Sequence, residues 1–124
     1  MGDTKTILVV EDYADLRDLF VSILQDAGYV VLSARDGATA LAVAQDHVGA
    51  IDLLLTDVVM PNMLGPDLAE RLKANHPNLR VVFMSGQAQL PPDSGVVMPR
   101  DAEVLLKPFM VEALLSRVEK ELGA

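Results

Sequence analysis

Five side chains with reactive chemistry stand where short apolar runs of this chain stop. Glu11 and Asp12 follow TILVV, Asp57 follows LLLT, Ser85 follows RVVFM and Lys107 follows EVLL. Three carboxylates gathered in one place would repel one another, and like charges a few ångströms apart keep one of them protonated. A hard divalent cation with oxygen ligands removes that conflict; Mg2+ fits best, with Mn2+ as the alternative. With a cation held there, Asp57 can present one oxygen as a nucleophile toward phosphorus. Transfer then rests on alignment and on neutralising three phosphoryl oxygens. One oxygen would go to the metal, one to the Ser85 hydroxyl with nearby backbone N–H groups, and one to the Lys107 ammonium.

Taken singly, each residue has a plain structural explanation. Glu11–Asp12 reads as a solvated loop or a helix cap, Asp57 as a turn residue ahead of Pro61, Lys107 as a solvated surface lysine and Ser85–Gly86 as a turn. His47 and His76 each fall near the C-terminal end of an expected helix, where a histidine suits the helix dipole, so neither is assigned a catalytic role. Met60, Met63, Met84, Met98 and Met110 are scattered over loops and strand ends and read as packing or partner-surface residues. The functional reading therefore depends on a fold that brings the strand ends together.

The elements between these residues supply such a fold. Thr6 to Val10 is a continuous apolar run, as expected of a strand buried on both faces. From Asp15, the positions Leu16, Phe20, Ile23 and Leu24 recur at helical spacing, and Gly28 is the stop signal. Tyr29 to Leu32 reads as a second strand, Asp36 to His47 as a helix, and Asp52 to Thr56 as a third strand running into Asp57. After a loop marked by Pro61, Gly65 and Pro66, Leu68 to Ala74 continues as a helix, with Pro66 suited to its first turn. Arg80 to Met84 and Glu103 to Leu106 give the fourth and fifth strands. Val111 to Leu122 is a final helix with Leu114, Leu115, Val118 and Leu122 turned inward. Between strands four and five, residues 87–101 contain Pro91, Pro92, Gly95 and Pro99. Prolines inside a helix cost on the order of 3 kcal/mol each, so a loop or a short distorted helix is expected there.

Strands alternating with helices at this spacing predict an α/β fold with a doubly wound parallel sheet and helices on both faces, because parallel strands need crossover connections. Sheets of this kind place ligand sites at the carboxyl ends of their strands, which is where the five residues stand. The 124 residues fit one domain, 1–124, and an apolar content of 51% is enough for a real core. With no cysteine, disulfides, thiolate metal sites and cysteine nucleophiles are excluded, and the composition fits a reducing cytoplasm. No apolar run approaches the roughly 20 residues of a bilayer span, so no membrane insertion is expected. A net charge of −8 argues against direct nucleic-acid binding, which relies on Lys and Arg to neutralise phosphates.

The ordered set VVED, LLLTDVVMP, FMSG and LLKPF resembles the response-regulator receiver family, and the resemblance covers nearly the whole chain. It implies a flavodoxin-like five-stranded sheet of order 2-1-3-4-5. Residue by residue, it makes Glu11 and Asp12 the acidic metal pair, Asp57 the phosphoacceptor, Ser85 the switch hydroxyl and Lys107 the phosphate-sensing lysine, with the backbone carbonyl of Val59 as a further metal ligand. It also implies a cis Lys107–Pro108 peptide bond and a phosphohistidine donor, either a histidine kinase or a histidine phosphotransfer protein, upstream of an unidentified output partner. Side chains at Val59 and Gln87 would lie near the path of the hydrolytic water. Both stand-alone receivers and receivers attached to hybrid histidine kinases carry such motifs. The protein would catalyse its own phosphorylation and slow dephosphorylation without being a turnover enzyme.

Two positions depart from the family pattern. Val104 stands where receivers usually carry an aromatic residue that rotates inward with the switch hydroxyl, and the proline-rich stretch 87–101 replaces a common signalling helix. A pseudo-receiver that binds partners without phosphate would share the fold, but the intact set of five residues counts against it. A phosphatase of the haloacid dehalogenase class would need a D-x-D motif, whereas Val58 and Val59 follow Asp57. A flavodoxin-like electron carrier would need a phosphate loop after the first strand, and aromatic residues are only 4% of this chain.

Overall fold

Side-chain alternation along the strands sorts the apolar residues into two layers. In the computed structural model, which describes residues 4–87, 93–100 and 102–123, the elements follow in the order β1 (Thr6–Val10), α1 (Ala14–Asp26), β2 (Val30–Ala34), α2 (Gly37–Asp46), β3 (Leu53–Asp57), α3 (Gly65–Lys73), β4 (Arg80–Ser85), β5 (Glu103–Leu106) and α4 (Val111–Leu122). The five strands form one sheet in the order β2-β1-β3-β4-β5, and every pairing is parallel. Successive strand residues face opposite sides of the sheet. Ile7, Val9, Leu53, Leu55, Val82 and Met84 meet Phe20 and Leu24 of α1 and Leu114 and Val118 of α4. Leu8, Val10, Leu54 and Phe83 meet Ala40 and Ala44 of α2 and Leu68 and Leu72 of α3 on the other face. Burial on both faces explains why β1 and β3 read as unbroken apolar runs.

Local signals set the helix ends. Asp36 caps α2 by accepting the Thr39 N–H at 2.7 Å. Pro66 occupies the first turn of α3, and Gly123, at φ 70°, closes α4 in the left-handed conformation. Element boundaries differ from the sequence reading by one to three residues. β2 starts at Val30 rather than Tyr29, α3 begins at Gly65 rather than Leu68, and β3 and β4 each run one residue further, to Asp57 and Ser85. His47 is the C-cap of α2, whereas His76 sits beyond α3 and accepts the Ile51 N–H on its ring Nδ1 at 3.4 Å. The second histidine therefore stays at the C-terminal end of α3, where its backbone N–H donates to the Leu72 carbonyl at 2.9 Å, and also anchors the turn before β3.

Between β4 and β5 no helix occurs among the described residues. Val96, Met98 and Ala102, together with Val104 of β5, lie against the α2/α3 side of the core and supply apolar cover there. The expectation placed on Pro91, Pro92 and Asp101 lies outside the described residues.

Gly65 has a role its sequence context hides. A Cβ at this position would lie 2.2 Å from the backbone carbonyl oxygen of Asp57, and the Gly65 N–H donates to the Val58 carbonyl at 2.7 Å. The start of α3 therefore lies directly against the end of β3, and only a residue without a side chain fits. Replacing Gly65 by Ala must displace backbone, and the expected loss is about 1–3 kcal/mol of unfolding free energy. Urea denaturation of Gly65→Ala checks this, and an unchanged midpoint would refute the close approach.

Candidate functional site

The strand ends are held by hydrogen bonds that continue the sheet ladder past the strands themselves. The Glu11 N–H donates to the Ala34 carbonyl at 3.1 Å, the Val58 N–H to the Met84 carbonyl at 2.9 Å, and the Lys107 N–H to the Ser85 carbonyl at 2.8 Å. These bonds fix the backbone beside the side chains that end β1, β3 and β5. Parallel pairing then puts them all along one edge of the sheet.

At that edge, ligand oxygens of Glu11, Asp12 and Asp57 all lie within 4.8 Å of one another. Glu11 and Asp57 are buried, at 1% and 6% exposure, while Asp12 faces solvent. Lys107 reaches between the two buried carboxylates. Its Nζ lies 2.6 Å from Asp57 Oδ1 and also pairs with Glu11 Oε1. The Lys107–Pro108 peptide bond is cis, as the family resemblance implied. Three carboxylate donors at this spacing suit a hard divalent cation, since such ions take oxygen ligands from several side chains at once.

Ser85 behaves differently from the other four. It stands at the same edge, but its hydroxyl donates to the Gln87 carbonyl at 2.9 Å and accepts the Gln87 N–H at 3.1 Å, closing a local turn. The structure thus gathers four of the five predicted side chains into direct contact or ligand range and ties the fifth to its own loop. Val59 lies in the bend after β3 with its side chain exposed.

Three supporting residues escaped the sequence reading. Arg17, on α1, donates from Nη1 to the Glu11 carbonyl at 2.9 Å and steadies the acidic turn. Its signal was its isolation, as the sole basic residue between Lys5 and Arg35 in an acidic stretch. Thr56 is fully buried and donates its hydroxyl to the Asp57 carbonyl at 3.1 Å. The Tyr13 N–H donates to Glu11 Oε2 at 3.2 Å, a contact only the turn geometry reveals.

The charges respond to this crowding. Burial, together with the neighbouring Glu11 carboxylate, pushes the Asp57 carboxyl up to about 7 despite the Lys107 ammonium beside it. Burial also opposes ionisation of Glu11, but hydrogen bonds with Asp57, Lys107, Asp12 and the Tyr13 N–H outweigh it and hold Glu11 below the usual range. Lys107 is raised because, although burial disfavours its charge, the two carboxylates favour it more, so the ammonium stays protonated at neutral pH.

This fold and site define a class, and comparison with known proteins agrees. The family model for the response regulator receiver domain matches residues 7–119. The chain belongs to the response-regulator receiver family. It is 43% identical over 122 residues to the response regulator receiver protein CpdR of Brucella abortus, covering 97% of this chain and 98% of that protein. It is also 36% identical over 125 residues to the sensor kinase CckA of Brucella abortus, covering 98% of this chain but 13% of the kinase. Among solved structures, the response regulator TrrA of Thermotoga maritima, crystallised with Mg2+-BeF, superposes with a TM-score of 0.78 at 28% identity, over 96% of this chain and 100% of that one.

The raised Asp57 carboxyl has a consequence for stability. A carboxyl whose folded-state value of about 7 exceeds its ordinary 3.8 is protonated more readily in the folded protein. Its contribution is fully present below 3.8 and is lost as pH rises through 7. With a chelator at about pH 8, Asp57→Asn is therefore expected to be more stable than the wild type by on the order of 2 kcal/mol. That gap closes as pH falls toward 4. Denaturant titrations of both proteins across this range check the sign, and a gap that widens on acidification would contradict it.

Proposed function

We propose that the protein is a phosphorylation switch that takes a phosphoryl group from a phosphohistidine donor onto Asp57. Support comes above all from the Lys107 ammonium, 2.6 Å from Asp57 Oδ1 and paired with Glu11, inside a cluster whose three carboxylates converge within 4.8 Å. In this reading a carboxylate oxygen of Asp57 attacks phosphorus while the phosphorus–nitrogen bond of the donor breaks and its electron pair returns to the imidazole ring. Lys107 then exchanges its contact with the Asp57 carboxylate for a phosphoryl oxygen, neutralising charge that grows during transfer. Glu11, Asp12, Asp57 and the Val59 backbone carbonyl would hold Mg2+, or Mn2+ in its place. When bound, the ion supplies charge neutralisation to the phosphoryl oxygens and to the crowded carboxylates. TrrA, a relative in fold and sequence, was crystallised with Mg2+ and a beryllofluoride group.

Ser85 would act as the switch hydroxyl by giving up its turn. Its Oγ cannot serve a phosphoryl oxygen and the Gln87 carbonyl with the same proton, so phosphorylation would release the Ser85–Gln87 turn and move the loop that follows. That route suits this chain, in which Val104 offers no ring to rotate. The donor would be a histidine kinase or a histidine phosphotransfer protein in the cytoplasm. The proposal serves a stand-alone receiver and a receiver within a hybrid histidine kinase alike. The activity would be self-phosphorylation with slow hydrolysis rather than turnover of a substrate.

Incubation with acetyl phosphate and Mg2+ followed by intact-mass measurement tests the proposal. A gain of one phosphoryl group is expected, absent with EDTA and absent in Asp57→Asn. Lys107→Ala should phosphorylate on the order of 100-fold more slowly. No gain from acetyl phosphate or from a phosphohistidine donor would leave a phosphate-independent interaction module as the function. For the hydroxyl, amide spectra should show Gln87 shifting when Mg2+ and beryllofluoride are added to the wild type. In Ser85→Ala the Gln87 amide should already start near the shifted position and respond little, whereas a full response there would remove Ser85 from the relay.

A further inference from the structure

We propose that the pole of the sheet opposite Asp57 is a second binding site, which takes a polyphosphate anion on Lys5, Lys73, Arg80 and Lys120. Parallel strands place all their N-terminal ends at one edge, and in this fold the C-terminal ends of α3 and α4 come to that edge too. Lys5 precedes β1, Arg80 opens β4, Lys73 ends α3 and Lys120 lies in the last turn of α4. All four line one cleft of about 770 Å3. The chain has only 10 basic residues and a net charge of −8, so four cations against two carboxylates in one cleft is a local reversal of sign.

The helix dipoles explain only half of this cluster. Lys73 and Lys120 lie in last turns, where cations suit the helix dipole, but Lys5 and Arg80 stand before and at the start of strands, where no such dipole acts. The cleft also contains Asp52 and Glu121. Asp52 is committed elsewhere, since its Oδ2 accepts the Thr6 N–H at 2.8 Å. Among the described residues, the one carboxylate within ion-pair distance of any of the four cations is Glu103, 3.9 Å from Lys120. Four cations against two carboxylates leave the cleft lining at +2, a charge that an anion would offset.

The size and the charge together select the ligand. A cleft of this volume matches a nucleotide-sized molecule, and cations supplied at the ends of four separate elements suit an anion of more than one phosphate group. Arg80 offers a planar fork and the lysines offer flexible point charges, a combination suited to a chain of phosphates. Pro77 and Leu122 add apolar wall to the same cleft. A nucleoside would use that wall and an inorganic polyphosphate would not, so the two sources of the anion are separable by experiment.

Amide spectra of the intact protein, titrated in chelator with inorganic tripolyphosphate and separately with ATP, test the site. Saturable shifts are expected around Lys5, Lys73, Arg80 and Lys120. The variant Lys73→Gln/Arg80→Gln changes two exposed side chains, and it should bind at least about tenfold more weakly while still accepting phosphate on Asp57. Arg35→Gln, at the other edge of the sheet, should leave affinity unchanged. Tighter binding of ATP than of tripolyphosphate would assign the site to nucleoside polyphosphates, and equal binding would assign it to the inorganic chain. Absence of saturable shifts, shifts confined to the Asp57 edge, or a double variant that binds like the wild type would each overturn the proposal.

Discussion

The site is organised around one ammonium held between two buried carboxylates. Lys107 is the single cation paired with the Glu11 and Asp57 carboxylates among the described residues, and both are almost wholly removed from solvent. Moving charged groups out of water costs several kcal/mol each unless partners replace the lost hydration. Here the replacement is incomplete: three carboxylates against one ammonium leave two negative charges, the charge of one divalent cation. The shortfall falls on Asp57, whose carboxyl is pushed up to about 7, while Glu11 is held low by its larger set of hydrogen bonds. The geometry thus concentrates an electrostatic demand at Asp57, the residue proposed to react.

That demand could not be met by a looser backbone. Each of the side chains involved sits at or just past a strand end, where one further ladder hydrogen bond fixes it or its neighbour. Gly65 then closes the structure from the other side, its missing side chain letting α3 begin against the Asp57 carbonyl. Arg17 and Thr56 secure the carbonyls of Glu11 and Asp57, so the two buried carboxylates project from backbone that is itself hydrogen-bonded. A site built at strand ends inherits the rigidity of the sheet, and alignment is most of what the proposed phosphoryl transfer would require.

The strand ends were legible in the sequence because a parallel strand buried on both faces is an unbroken apolar run, and a charge ends it abruptly. Glu11, Asp57 and Lys107 could be placed at one edge on that basis, before any distance was known. The orientation of Ser85 was not legible: a Ser-Gly pair predicts a turn, and nothing in the residue types says whether the hydroxyl serves the turn or the crevice. Gly65 was hidden for a related reason. Gly-Pro after a loop reads as chain reversal, whereas the actual constraint is a steric approach between residues eight apart. The start of α3 was missed by three residues because its first turn, Gly65 to Asp67, carries no apolar periodicity.

Val104 narrows how a change at Asp57 can travel. It pairs in register with Phe83 of β4 and packs with Val96, Met98 and Ala102 on the α2/α3 side of the core. A β-branched side chain in a strand has few rotamers and little volume to move, so rotation at this position would shift almost no surface. The Ser85–Gln87 turn is the better mobile element, for it is exposed and held by two hydrogen bonds to one hydroxyl. In the proposed switch, displacing that hydroxyl would release both bonds together, so a single contact at a phosphoryl group would redirect the chain leaving β4. Because Lys107 is bonded through its backbone to the Ser85 carbonyl, the residue proposed to meet the new charge also anchors the strand from which the loop departs. In that proposal charge recognition and loop release would be two ends of one connected piece of backbone.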